Sequence, residues 1–138
     1  MRNLKVSAIA ALPLFALIPF TSFAAERVGD FSLLDQQGYN HSMSRYDHNE
    51  AVVFLVQAND SAATEAALPA FNALKSAYED RGVEFMMINP MGRLNREAVQ
   101  AKAEEYGLEI PVLMDDTQVI SEALGIERTG EVLVYDPK

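Results

Sequence analysis

The chain has 138 residues, no cysteine, 20 acidic against 11 basic side chains and two histidines, for a formal net charge of −9. A balance this acidic argues against nucleic acid and anionic membranes as partners. Without cysteine the chain can form no disulfide and offers no thiolate nucleophile, so its stability must come from packing.

The first element in chain order is an export signal. Arg2 and Lys5 form a basic start, Ala8 to Phe20 is apolar, and Ser22-Phe23-Ala24 places small residues at the −3 and −1 positions of a cleavage site. An apolar core of about 13 residues, interrupted by Pro13 and Pro19, is short for a membrane span. Residues 1–24 are therefore read as a signal peptide and 25–138 as one domain, periplasmic or secreted, with no membrane attachment after cleavage. Loss of Arg2 and Lys5 takes the formal charge from −9 to −11.

Phe31–Leu34 and Tyr39–Met43 flank Asp35-Gln-Gln-Gly38, which predicts an N-terminal β-hairpin, and Arg45–Glu50 reads as a polar connector. Ala51–Gln57 is a continuous apolar run, the pattern of a strand buried on both faces. Asn59, Asp60 and Ser61 then offer helix N-caps, and Ala67, Phe71, Leu74 and Tyr78 recur at helical spacing. That helix should run to about Asp80, kink at Pro69 and close at Gly82.

Val83–Ile88 is the next strand, followed by the turn Asn89-Pro90-Met91-Gly92. An amphipathic helix over Asn95–Tyr106 buries Ala98, Val99 and Tyr106 and stops at Gly107. Ile110–Met114 is a short strand, Asp116 or Thr117 caps a helix over Val119–Leu124, and Glu131–Tyr135 is the last strand. The strand–helix alternation predicts parallel strands joined by crossovers, an α/β sandwich.

Four segments, in order and at consistent spacing, resemble the redoxin (AhpC/TSA, thiol-specific antioxidant-like) branch of the thioredoxin superfamily. They are Val28-Gly-Asp-Phe-Ser-Leu-Leu-Asp-Gln-Gln-Gly38, Val52–Pro69, Gly82–Asn89 and Leu124–Pro137. The resemblance implies a thioredoxin-like α/β sandwich with an N-terminal β-hairpin and a thiol-dependent oxidoreductase or antioxidant activity. It also marks four degenerate positions. Ser61 stands where the family has its reactive cysteine, Thr64 where a second may lie, and Gly130, after Thr129, where a cis-proline is common. Relatives continue with one more antiparallel strand and a covering helix, so the last strand, Glu131–Tyr135, is expected to be an open edge suited to self-association.

The remaining candidates read as structure. Ser61 as a hydrolytic nucleophile would need a base, and His41 and His48 belong to the hairpin and connector, so helix capping is preferred. Asp60 would satisfy the helix dipole and repel a neighbouring thiolate. His41, Asp47, His48 and Glu50 lack the helical spacing of a ligand pair, and Met86 and Met87 fit a core strand better than a soft-metal site. The sequence thus assigns no catalytic residue, cofactor or metal. It leaves two readings: a degenerate, non-redox binding or structural domain with an unidentified partner, or an oxidoreductase.

Overall fold

The computed structural model describes residues 28–91, 96–107 and 109–138; the signal-peptide reading, Gly92 and the start of the second helix at Asn95 lie outside the described residues. The strands are β1 (Ser32–Asp35), β2 (Asn40–Ser42), β3 (Ala51–Val56), β4 (Val83–Asn89), β5 (Val112–Met114) and β6 (Val132–Tyr135). The helices are α1 (Ala62–Tyr78), α2 (Arg96–Glu105) and α3 (Val119–Ala123). They build a six-stranded sheet in the order β2-β1-β5-β4-β3-β6. The central β5, β4 and β3 are parallel, as the crossovers require, while β1 and β6 join antiparallel at the flanks.

The apolar run of β3 is buried because both sheet faces are covered. Val53 and Leu55 face α1 and α2, packing with Phe71, Phe85, Met87, Val99 and Ala103. Val52, Phe54 and Val56 face the opposite way, toward Phe31, Met43, Met86, Ile88 and Leu113. Phe71 meets Phe85 edge-on at 5.6 Å. Met43 departs from the sequence reading: it opens a 3₁₀ turn (Met43–Tyr46) and is core, 1% exposed. α1 is continuous across Pro69, but Leu74 and Tyr78 are each 40% exposed. Only the first half of its apolar stripe reaches the sheet, because the helix outruns the strands beneath it.

The hairpin is fixed by side chains. One oxygen of the buried Asp35 carboxylate accepts the Gln37 and Tyr39 N–H groups at 2.9 Å, closing the turn. The other lies 2.8 Å from His41 Nε2, and His41 Nδ1 lies 2.8 Å from the Tyr46 hydroxyl. Gln36 ties this turn to β5 by accepting the Val112 N–H at 2.7 Å.

Glu84 on β4 is half-buried, and burial raises its pKa against the lowering pull of His41, Lys75 and His48. The fold therefore favours its protonated form. This contribution is fully present below the ordinary glutamate range and is lost as pH rises through the raised folded pKa. Glu84→Gln should accordingly raise the melting temperature at about pH 7, the gain shrinking to nothing by about pH 4. Thermal melts across that range check it, and a gain that grows on acidification would contradict it.

Candidate functional site

The carboxyl ends of β3 and β4 and the amino end of α1 converge on one turn, residues 57–61, the place where open α/β sheets present ligand-binding groups. Ser61 is the N-cap of α1, with extended backbone, and its Oγ accepts the Thr64 N–H at 3.3 Å. The same hydroxyl lies 2.9 Å from the Thr129 hydroxyl, across a sequence separation of 68 residues. Thr64 is turned inward and fully buried, its Oγ1 accepting the Ala58 N–H at 3.3 Å. Ser61 and Thr129 thus form a hydroxyl pair, which Thr64 joins through its backbone N–H.

Gly130 completes it. Its N–H donates to the Val56 carbonyl at 2.8 Å and its φ is +82°, a conformation side chains rarely adopt. A Cβ built there would sit 2.7 Å from the Ala63 carbonyl oxygen. The loop before β6 therefore closes directly on the first turn of α1, and no peptide bond in the described residues is cis.

Asp60 corrects the sequence reading. It has a positive φ of 58° and lies outside the helix, its carboxylate 86% exposed and 3.2 Å from Lys102 Nζ on α2. Lys102 also pairs with Glu105 at 2.8 Å, and these two partners hold its ammonium above the ordinary lysine range. The Asp60 charge is thus compensated by a lysine, and Ser61 alone caps the helix.

Below the hydroxyls runs a chain of amides. The Asn89 Nδ2 donates to Gln57 Oε1 at 2.7 Å, Gln57 Nε2 donates to Asn59 Oδ1 at 2.8 Å, and Asn89 Oδ1 accepts the Met91 N–H at 2.8 Å. Gln57 and Asn89 are both 2% exposed. The one signal in the sequence was polar residues closing two apolar strands. An open cleft of about 230 Å³ adjoins the cluster, walled by Val56, Pro90, Met91, Gln118, Ile126 and Thr129.

Other sequence candidates lie elsewhere. His41 is engaged by Asp35 and Tyr46, and His48 is exposed near Asp47 at 3.8 Å, so neither serves as a base for Ser61. Among the described residues, no three His, Asp or Glu side chains gather as a metal ligand set. α3 is held by neither Asp116 nor Thr117. The buried Asp115 reaches its first turn, accepting the Ser121 N–H at 2.6 Å and hydroxyl at 2.7 Å.

This hydroxyl-lined turn between sheet and kept helix sits inside a match to a family model that spans residues 24–137, the AhpC/TSA family. The chain belongs to the AhpC/TSA family. A search of curated proteins found no match. Among solved structures, the chain is similar to a hypothetical protein from Sinorhizobium meliloti 1021, with 23% identity and a TM-score of 0.70, covering 82% of this chain and 64% of that one. It therefore spans less than two thirds of that relative's length.

The thioredoxin domain of a thiol-disulfide oxidoreductase from Bacteroides vulgatus gives 15% identity and a TM-score of 0.69, covering 82% of this chain and 81% of that domain. The peroxidoxin BcpB from Mycobacterium tuberculosis gives 20% identity and 0.62, covering 79% and 71%. These likenesses establish the thioredoxin-like fold. In this AhpC/TSA member a serine, Ser61, caps the first turn of α1.

Proposed function

We propose that this AhpC/TSA member is an exported domain with a non-redox binding or structural role, its former thiol site converted into a hydroxyl-capped turn. The observation that carries the reading is the engagement of Ser61. Its oxygen accepts the helix N–H of Thr64 and meets the Thr129 hydroxyl, while the whole chain holds no cysteine. Thiol–disulfide exchange requires a thiolate, and a serine hydroxyl needs an adjacent base that this turn lacks. The basic start, apolar core and small residues before Ala25 support export.

The test begins with protein recovered from outside the cytoplasm after expression of the full chain, its amino terminus read by sequencing. An amino terminus at Ala25 supports export. Peroxide with a dithiol donor, and a disulfide substrate, should then be consumed no faster than with a denatured control. Stoichiometric loss of peroxide to the five methionines that follow residue 24 is allowed for, so repeated turnover is the criterion. Sustained turnover would establish the oxidoreductase reading instead, and retention in the cytoplasm would refute export.

A further inference from the structure

The fold sorts the methionines that follow residue 24 into two unequal classes. Met43, Met86, Met87 and Met114 are core, 1%, 0%, 1% and 6% exposed, whereas Met91 is 69% exposed. Oxidation of a thioether depends on access to its sulfur, and a buried methionine is shielded by its packing.

Met91 is also held in place. It follows β4 directly, and its N–H donates to the Oδ1 of the buried Asn89 at 2.8 Å. The other polar end of the same peptide, the Pro90 carbonyl, accepts from Gln118 Nε2 at 3.0 Å. The anchored side chain lines the cleft of about 230 Å³ beside Thr129, sharing its apolar part with Val56, Pro90 and Ile126. Two donor side chains, Gln118 and Arg128, line the same cleft. Gln118 spends one amide N–H on Pro90, and Arg128 Nε lies 3.4 Å from Glu131 Oε1, which leaves further N–H groups on both.

We propose that Met91 is a site of reversible oxidation by peroxides, and that its sulfoxide turns the apolar part of this cleft polar by engaging Gln118 and Arg128. The sulfur attacks one peroxide oxygen; the S–O bond forms as the O–O bond breaks. The thioether is oxidised by two electrons, and the peroxide is reduced, its other oxygen leaving with the transferred proton as water, or as an alcohol from an alkyl hydroperoxide. The new oxygen is a hydrogen-bond acceptor where a thioether accepts only weakly. The chain has no thiol to reverse the step, so reaction stops until a methionine sulfoxide reductase and its thiol reductant restore the thioether. A single stoichiometric event of this kind is separate from the non-redox reading of Ser61, which only sustained turnover refutes.

The experiment treats protein expressed from the full chain with hydrogen peroxide and maps the oxidised residues by peptide mass spectrometry over time. Met91 should gain one oxygen about tenfold or more faster than any of the four core methionines. The circular dichroism spectrum and the urea midpoint should not change, and the reductase should reverse the mass gain. Backbone amide resonances of Val56, Gln118 and Arg128 should move on oxidation and return on reduction. Met91→Leu keeps the apolar surface and should abolish both the fast oxidation and these shifts, whereas Met114→Leu should leave both intact. Core methionines reacting as fast as Met91 would overturn the proposal, as would an oxidised Met91 that leaves the three amides across the cleft unmoved.

Discussion

Gly130→Ala is expected to destabilise the domain by about 3 kcal/mol, a large effect for the addition of one methyl group. Two independent costs combine. The φ of +82° belongs to the region that costs a non-glycine residue about 1–2 kcal/mol. The new Cβ would meet the Ala63 carbonyl oxygen at 2.7 Å and its carbon at 3.0 Å, both backbone atoms of a helix first turn. Those atoms cannot swing aside as a side-chain tip can, and overpacking of this kind costs about 1–3 kcal/mol more. Gly130→Pro should cost more still. It forces a negative φ and removes the N–H that donates to Val56.

Urea unfolding measures both variants. A lower midpoint at unchanged slope is the expected result. An alanine variant within about 0.5 kcal/mol of wild type, the range of an ordinary surface change, would show that the loop does not rest on α1. A proline at position 130 is therefore not accommodated by one substitution, because the loop lies directly against the Ala63 carbonyl.

Ser61→Cys is expected to give a thiol with a pKa at least one unit below the free-cysteine value of about 8.5. The sequence alone suggested a thiol of near-ordinary pKa, because Asp60 adjoins position 61 and Gly130 stands in place of a proline. In the structure that carboxylate is turned outward and paired with Lys102. Position 61 instead caps a 17-residue helix, with the Thr64 N–H at 3.3 Å and the Thr129 hydroxyl at 2.9 Å from the oxygen that sulfur would replace. A thiolate gains from both donors and from the helix dipole.

The rate of alkylation against pH reports the pKa. Adding Thr129→Val to Ser61→Cys should move it back up by removing one donor. A pKa at or above about 8.5, or one insensitive to Thr129, would mean that the turn no longer favours an anion. The expected result would show that the turn favours an anion, through the donors that now satisfy a capping hydroxyl.

Local pattern determined a good deal by itself. The run Ala51–Gln57 could only be a strand covered on both faces, since any other placement would leave five large apolar side chains in water. A helix start within Asn59–Ser61 and an end before Gly82 followed from capping chemistry, which acts within a few residues, and the structure selected Ser61. The four ordered segments carried the family and the absence of cysteine. The antiparallel entry of β1 beside β5 and of β6 beside β3 was not legible, because strand order is settled by which faces can be buried together.

Contacts across long separations lay beyond the sequence for the same reason. Ser61 and Thr129, Gln57 and Asn89, Asp60 and Lys102 are each 32 to 68 residues apart. Nothing in local periodicity brings such pairs to hydrogen-bonding distance; the sheet register does. Glycine at 130 shows the division most clearly. As a letter it signified only backbone freedom, whereas the packing of the β6 loop on Ala63 makes it the one residue type that fits.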